Sequence, residues 1–86
     1  MSFQAALVRE QGKTFAVVVV RQGIIDNTAE ANSAQASIAP AFNHVPVILM
    51  EPGFRGRPRY YGRTDIVRFL ANIDFRRLPW KQWTLN

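Results

Sequence analysis

Arg55, Arg57, Arg59 and Arg63 stand in an eleven-residue stretch, GFRGRPRYYGR, with three glycines, one proline and the aromatics Phe54, Tyr60 and Tyr61. This mixture suits one kind of chemistry above others. A guanidinium fork pairs phosphate oxygens and an aromatic ring stacks on a base, the combination that grips single-stranded nucleic acid. The same residues also serve a plainer end. Gly53 and Gly56 can make a tight turn, one tyrosine can pack inward, and arginines along a strand can keep a sheet edge from pairing with another chain. An acidic protein surface is a third reading of the same charge.

Catalysis has much less to work with. A nucleophilic or acid–base site needs a nucleophile, a base and an orienting group that converge. The chain has one histidine, His44, set beside Val45 and Pro46 with no acid or serine pattern near it. Its serines, Ser2, Ser33 and Ser37, lie near the N-terminus or in an alanine-rich segment. The carboxylates are scattered singly, without the spacing of a metal site, and the absence of cysteine removes thiolate chemistry and Cys-ligated zinc. Gln11–Thr14, QGKT, resembles a phosphate-binding loop only superficially: Leu7 stands where the first glycine is needed, and a strand pattern follows instead of a helix. A non-enzymatic domain with no cofactor and no metal is the expectation.

The string Arg55-Gly-Arg-Pro-Arg59 resembles the core of the AT-hook, a motif that lies in the minor groove of A·T-rich DNA. The resemblance implies that Arg55, Gly56 and Arg57 enter the groove and that Pro58 keeps the backbone extended. It covers five residues of 86, and Phe54, Tyr60 and Tyr61 replace the basic, proline-rich surroundings typical of that motif.

Charge distribution favours an anionic partner. Residues 1–52 carry three bases and four acids, and residues 53–86 carry eight bases and two acids, so the net +5 arises in the C-terminal part. Seven of those eight bases are arginine. Nucleic acid or another polyanion is the leading partner, with an acidic protein surface as the alternative. The longest apolar run, Phe15–Val20, is too short for a bilayer span of about 20 residues. MSFQAALVRE lacks the basic and apolar regions of a signal peptide, so a cytoplasmic protein without membrane contact is expected.

The elements that must position these side chains follow from the hydrophobic pattern. QAALVR and TFAVVVVR flank EQGK and read as a β-hairpin, whose second strand is apolar on both faces. That strand is either central in one sheet or part of a symmetric homodimer. Asn27 and Glu30 have the spacing of a reciprocal helix cap, and Ala31, Ala34, Ile38, Ala41 and Phe42 fall on one helical face before Pro40 intervenes. VPVILME is another strand, and RPRYY returns as an edge strand because Pro58 has no N–H to donate. TDIVRFLANI is a helix capped by Thr64 or Asp65, with Ile66, Phe69, Leu70 and Ile73 inward. Arg76 and Arg77 lie beyond its negative end. The tail LPWKQWTL is expected to fold back as a turn and an extended end, burying Trp80 and Trp83 against this helix and the sheet.

The sum is a single small α+β domain spanning residues 1–86. Its expected order is ββαββα, a mostly antiparallel four-stranded sheet with two helices packed on it. Its expected function is binding of an anionic macromolecule through Arg55, Arg57, Arg59, Arg63 and Tyr60 or Tyr61. The alternative is a protein-interaction or self-associating module.

Overall fold

A computed structural model describes residues 2–10, 12–53 and 56–84 of the chain. Two strands open it, β1 (Ser2–Glu10) and β2 (Lys13–Val19), paired antiparallel with Glu10 opposite Lys13. Then come α1 (Thr28–Ile38), β3 (Val47–Glu51), β4 (Arg59–Tyr61), α2 (Thr64–Ala71) and β5 (Trp80–Thr84). The strands form one mixed sheet in the order β4-β3-β2-β1-β5. β2 and β3 run parallel, joined through α1, and the other neighbours are antiparallel.

The valine run explains the middle of this sheet. Phe15, Ala16, Val17 and Val18 are all buried, which requires a cover on each face. On one face Phe15 and Val17 join Ile48, Met50, Ile66 and Leu70 beneath α2. On the other, Ala16 and Val18 meet Ala31, Ile38 and Phe42 beneath α1 and the 3-10 turn Ala39–Phe42 that continues it. The helices therefore lie on opposite faces. Asn27 caps α1, its side-chain oxygen accepting from the Glu30 N–H at 3.1 Å, but the cap is not reciprocal: the Asn27 N–H donates to the Ile24 carbonyl at 3.2 Å. The residue facing the sheet in the first turns is Ala31, so α1 can approach the strands closely. Pro40 sits where the α-helix tightens into the 3-10 turn.

Three expectations need correcting. The sheet has five strands, because Trp80–Thr84 pairs antiparallel with β1, Trp83 opposite Phe3 and Trp80 opposite Ala6. Neither Thr64 nor Asp65 caps α2. The cap position is Arg63, with no side-chain cap bond, and Asp65 lies inside the first turn. The tryptophans do not share one pocket under α2 either. Alternation along β5 sends them to opposite faces, each half-buried: Trp80 donates to the Phe75 carbonyl at 2.8 Å, and Trp83 packs on Phe42 and donates to the Ala5 carbonyl at 3.1 Å. A tryptophan in each core layer ties the last strand to both sides of the sheet.

Candidate nucleic-acid interface

Strand β4 decides what the arginine- and tyrosine-rich stretch can present. It pairs antiparallel with β3, placing Arg59 opposite Glu51, Tyr60 opposite Met50 and Tyr61 opposite Leu49. Successive side chains then leave on opposite faces. Arg59 and Tyr61 fall on the α1 side, Tyr60 on the α2 side. The two tyrosines cannot act together on one strand of nucleic acid.

Both residues on the α1 side are engaged within the fold. The Tyr61 hydroxyl donates to Asn32 Oδ1 at 2.9 Å, fastening β4 to α1. Arg59 reaches Asp26 at 2.9 Å and Glu51 at 3.5 Å. Glu51 is only 1% exposed, and its Oε2 accepts the N–H groups of Gly23 and Ile25 at 2.9 and 3.0 Å. The carboxylate thus pins the β2–α1 loop, and Arg59 supplies its counter-charge. Hydrogen bonding to Arg59 and its charge hold the Asp26 carboxyl below its ordinary range, and the same pair raises Arg59.

Arg63 is also paired. Its Nε and Nη2 meet the two oxygens of Asp65 at 3.1 and 2.8 Å, and Lys13 reaches the same carboxylate at 2.8 Å. The hydrogen bond from Lys13, then that from Arg63, drives Asp65 well below the usual carboxylate range. This group carries two bases and one acid, so it keeps one positive charge at the start of α2.

The α2 side differs. Arg57 is exposed and has no carboxylate partner among the described residues, and Arg55 lies outside them. Gly53 approaches Arg57 closely: it has φ +73°, and a Cβ there would overlap the Arg57 carbonyl oxygen. Arg57, Tyr60, Asp74, Phe75 and Arg76 all line one depression of about 350 Å³. Arg76 forms a paired contact with Asp74 at 3.0 and 2.9 Å but remains exposed. Asp74 also accepts the Arg76 backbone N–H at 3.0 Å, capping the 3-10 turn Phe75–Arg77. These contacts lower the Asp74 carboxyl, the Arg76 side chain contributing most, and raise Arg76. The Tyr60 hydroxyl is buried without a hydrogen-bond partner among the described residues, and burial, then the Asp74 charge, pushes its pKa up. Arg68 and Arg77 are exposed on α2 and its 3-10 turn, with no carboxylate partner among the described residues.

Arg76 is the member that sequence reasoning assigned elsewhere, as a complement to the α2 dipole. Nothing in its spacing links it to Arg57, because the link is made by α2 crossing the sheet. His44 is exposed in the left-handed turn after the 3-10 segment, at φ +61°. Among the described residues no three His, Asp or Glu side chains gather as a metal site would require, and no helix is long and apolar enough to cross a membrane. Comparison with protein-family models, with curated proteins and with solved structures found no match.

Proposed function

We propose that this domain is a non-enzymatic binding module for an anionic macromolecule, nucleic acid first among them, and that its α2 side makes the contact. One observation carries the reading: Arg57 and Arg76, from separate elements, line one depression with Tyr60, Phe75 and Asp74, the acid that Arg76 pairs within the fold. Phosphates pair with these two guanidiniums, and the charge of Arg68, Arg77 and the Arg63–Lys13–Asp65 group adds longer-range attraction. Arg59 contributes less, because moving it toward a phosphate would leave the buried Glu51 carboxylate without its counter-charge. Exposed pairs such as Arg76–Asp74 are screened by water and salt and contribute little, so a phosphate can compete for the guanidinium.

Fluorescence anisotropy with a single-stranded oligonucleotide across a salt series tests this. The double variant Arg57→Ala/Arg76→Ala should flatten the log–log salt slope by about 1.4 units with circular dichroism unchanged, each lost phosphate contact removing about 0.7. Arg9→Gln is the control, since alternation puts Arg9 on the opposite face with Ala5 and Leu7. No binding at low salt, or an equal effect from Arg9→Gln, overturns the reading.

A protein-interaction role has its own support. β5 is an edge strand with one side of its backbone unpaired by the sheet, so a second chain can extend the sheet there. Light scattering across a concentration series separates this reading, which expects a dimer without any polyanion.

A further inference from the structure

The α1 side holds a second concavity, unrelated to the arginine-rich hairpin. It is a cleft of about 430 Å³ where β2 ends and the chain turns toward α1. Phe3, Val20, Ile24, Ala34 and Ile38 form its walls. Ser2, Ser37 and Arg21 stand at its rim, all exposed. Arg21 has no carboxylate side-chain partner among the described residues.

Three features suit this cleft to a small ligand. The size lies within the roughly 300–1,000 Å³ range of small-molecule pockets, and apolar walls with few polar groups are what such pockets have. The position is the carboxyl end of a parallel strand pair, where the chain leaves the sheet for the helix and a crevice opens. The wall is also held in place. Glu51 accepts the N–H groups on either side of Ile24, at Gly23 and Ile25, so that residue is fixed before any ligand arrives. A preformed wall avoids the entropy cost of ordering a loop on binding.

We infer that this cleft binds a small amphipathic carboxylic acid, its apolar body against Phe3, Ile24 and Ala34 and its carboxylate paired with Arg21. Charge complementarity selects the anion, since among the described residues the only charged one lining the cleft is an arginine. The Ser2 and Ser37 hydroxyls can donate to the remaining carboxylate lone pairs.

The probes are octanoate and its neutral counterpart octanol, titrated separately into the ¹⁵N-labelled full chain. Octanoate should shift the amides of Phe3, Val20, Ile24 and Ala34, and should bind about tenfold more tightly than octanol, the worth of one charge-assisted contact. Arg21→Gln, a surface change, should erase that tenfold difference and leave octanol binding as it was. Ala34→Leu should fill the cleft and abolish both interactions; if that variant fails to fold, the Arg21→Gln comparison decides alone. Shifts elsewhere, or equal affinity of octanoate for wild type and Arg21→Gln, would overturn the inference. So would the same shifts appearing on simple concentration of the protein, which would make the occupant a second copy.

Discussion

The two flanks of the hairpin use the same residue types to opposite ends. On the α1 flank Arg59 and Tyr61 are strand residues, and strand register hands them partners: Glu51 lies directly opposite Arg59, while Tyr61 projects toward Asn32 on α1. On the α2 flank Arg57 belongs to the loop before the strand, outside the ladder that would pair it. Arginine-rich composition therefore says little about binding until each guanidinium is assigned to ladder or loop. Inside the ladder Arg59 is committed to the fold; outside it Arg57 has no carboxylate partner among the described residues, whereas Arg63 and Arg76 find Asp65 and Asp74 two residues away in their own segments.

The strongest way to break this contrast is to remove the acid that commits Arg59. Glu51→Ala should cost about 3 kcal/mol, because two loop N–H groups lose a charged acceptor and Arg59 loses its buried partner. For a domain of this size that lowers Tm by roughly 15 °C, measurable by calorimetry. Glu51→Gln keeps an oxygen for the N–H groups and should recover part of the loss. A Glu51→Ala protein as stable as wild type would mean the α1 flank is not held by this carboxylate.

The adjacent tyrosines sharpen the contrast at a smaller scale, since removing the hydroxyl should act with opposite sign at each. Tyr61→Phe gives up the bond to Asn32 and should destabilise by about 1 kcal/mol. Tyr60→Phe removes a buried hydroxyl that has no partner among the described residues and should be neutral or stabilising by up to about 1 kcal/mol. Urea midpoints of the two variants decide it, and loss of stability in both would show that Tyr60 is hydrogen-bonded in solution.

The smallest effect concerns pH. Asp26, Asp65 and Asp74 all have lowered pKa values in the fold, so each contributes stability that is complete above the unfolded carboxylate pKa of about 3.9 and lost as pH falls through the folded values. Tm should be flat from pH 7 to 5 with respect to these groups and decline below about pH 4. Asp65→Asn should shallow that decline, as the group with two cationic partners. A steep loss between pH 7 and 5 would point to another group.

Much of the architecture was legible because its signals are local. The hairpin turn, the Asn27–Glu30 cap and the inward face of Ile66 and Leu70 each depend on neighbours within a few positions. The fifth strand was not legible, since Trp80–Thr84 becomes a strand only against β1, at the far end of the chain. The same reason hid the site's arrangement. Asp26, Glu51 and Arg59 come from three segments, as do Arg57 and Arg76 from two, and no spacing rule connects them. Glu51 was the hardest to read: an acid at the end of VILME suggests a strand leaving the core, whereas its partners are backbone N–H groups that carry no side-chain signature.

The pairing of β1 with β5 has a kinetic consequence. The Trp83 indole closes on the Ala5 carbonyl across 78 positions, so this contact closes nearly the longest loop the chain can make. Contacts of such separation form late, after the hairpin and the β2–α1–β3 unit have reduced the search. During that interval the outer edge of β1 is an open row of amide and carbonyl groups beside the apolar residues Ala5 and Leu7. Refolding at high protein concentration therefore sets intramolecular arrival of β5 against capture of that edge by another molecule, and dilution favours the native outcome.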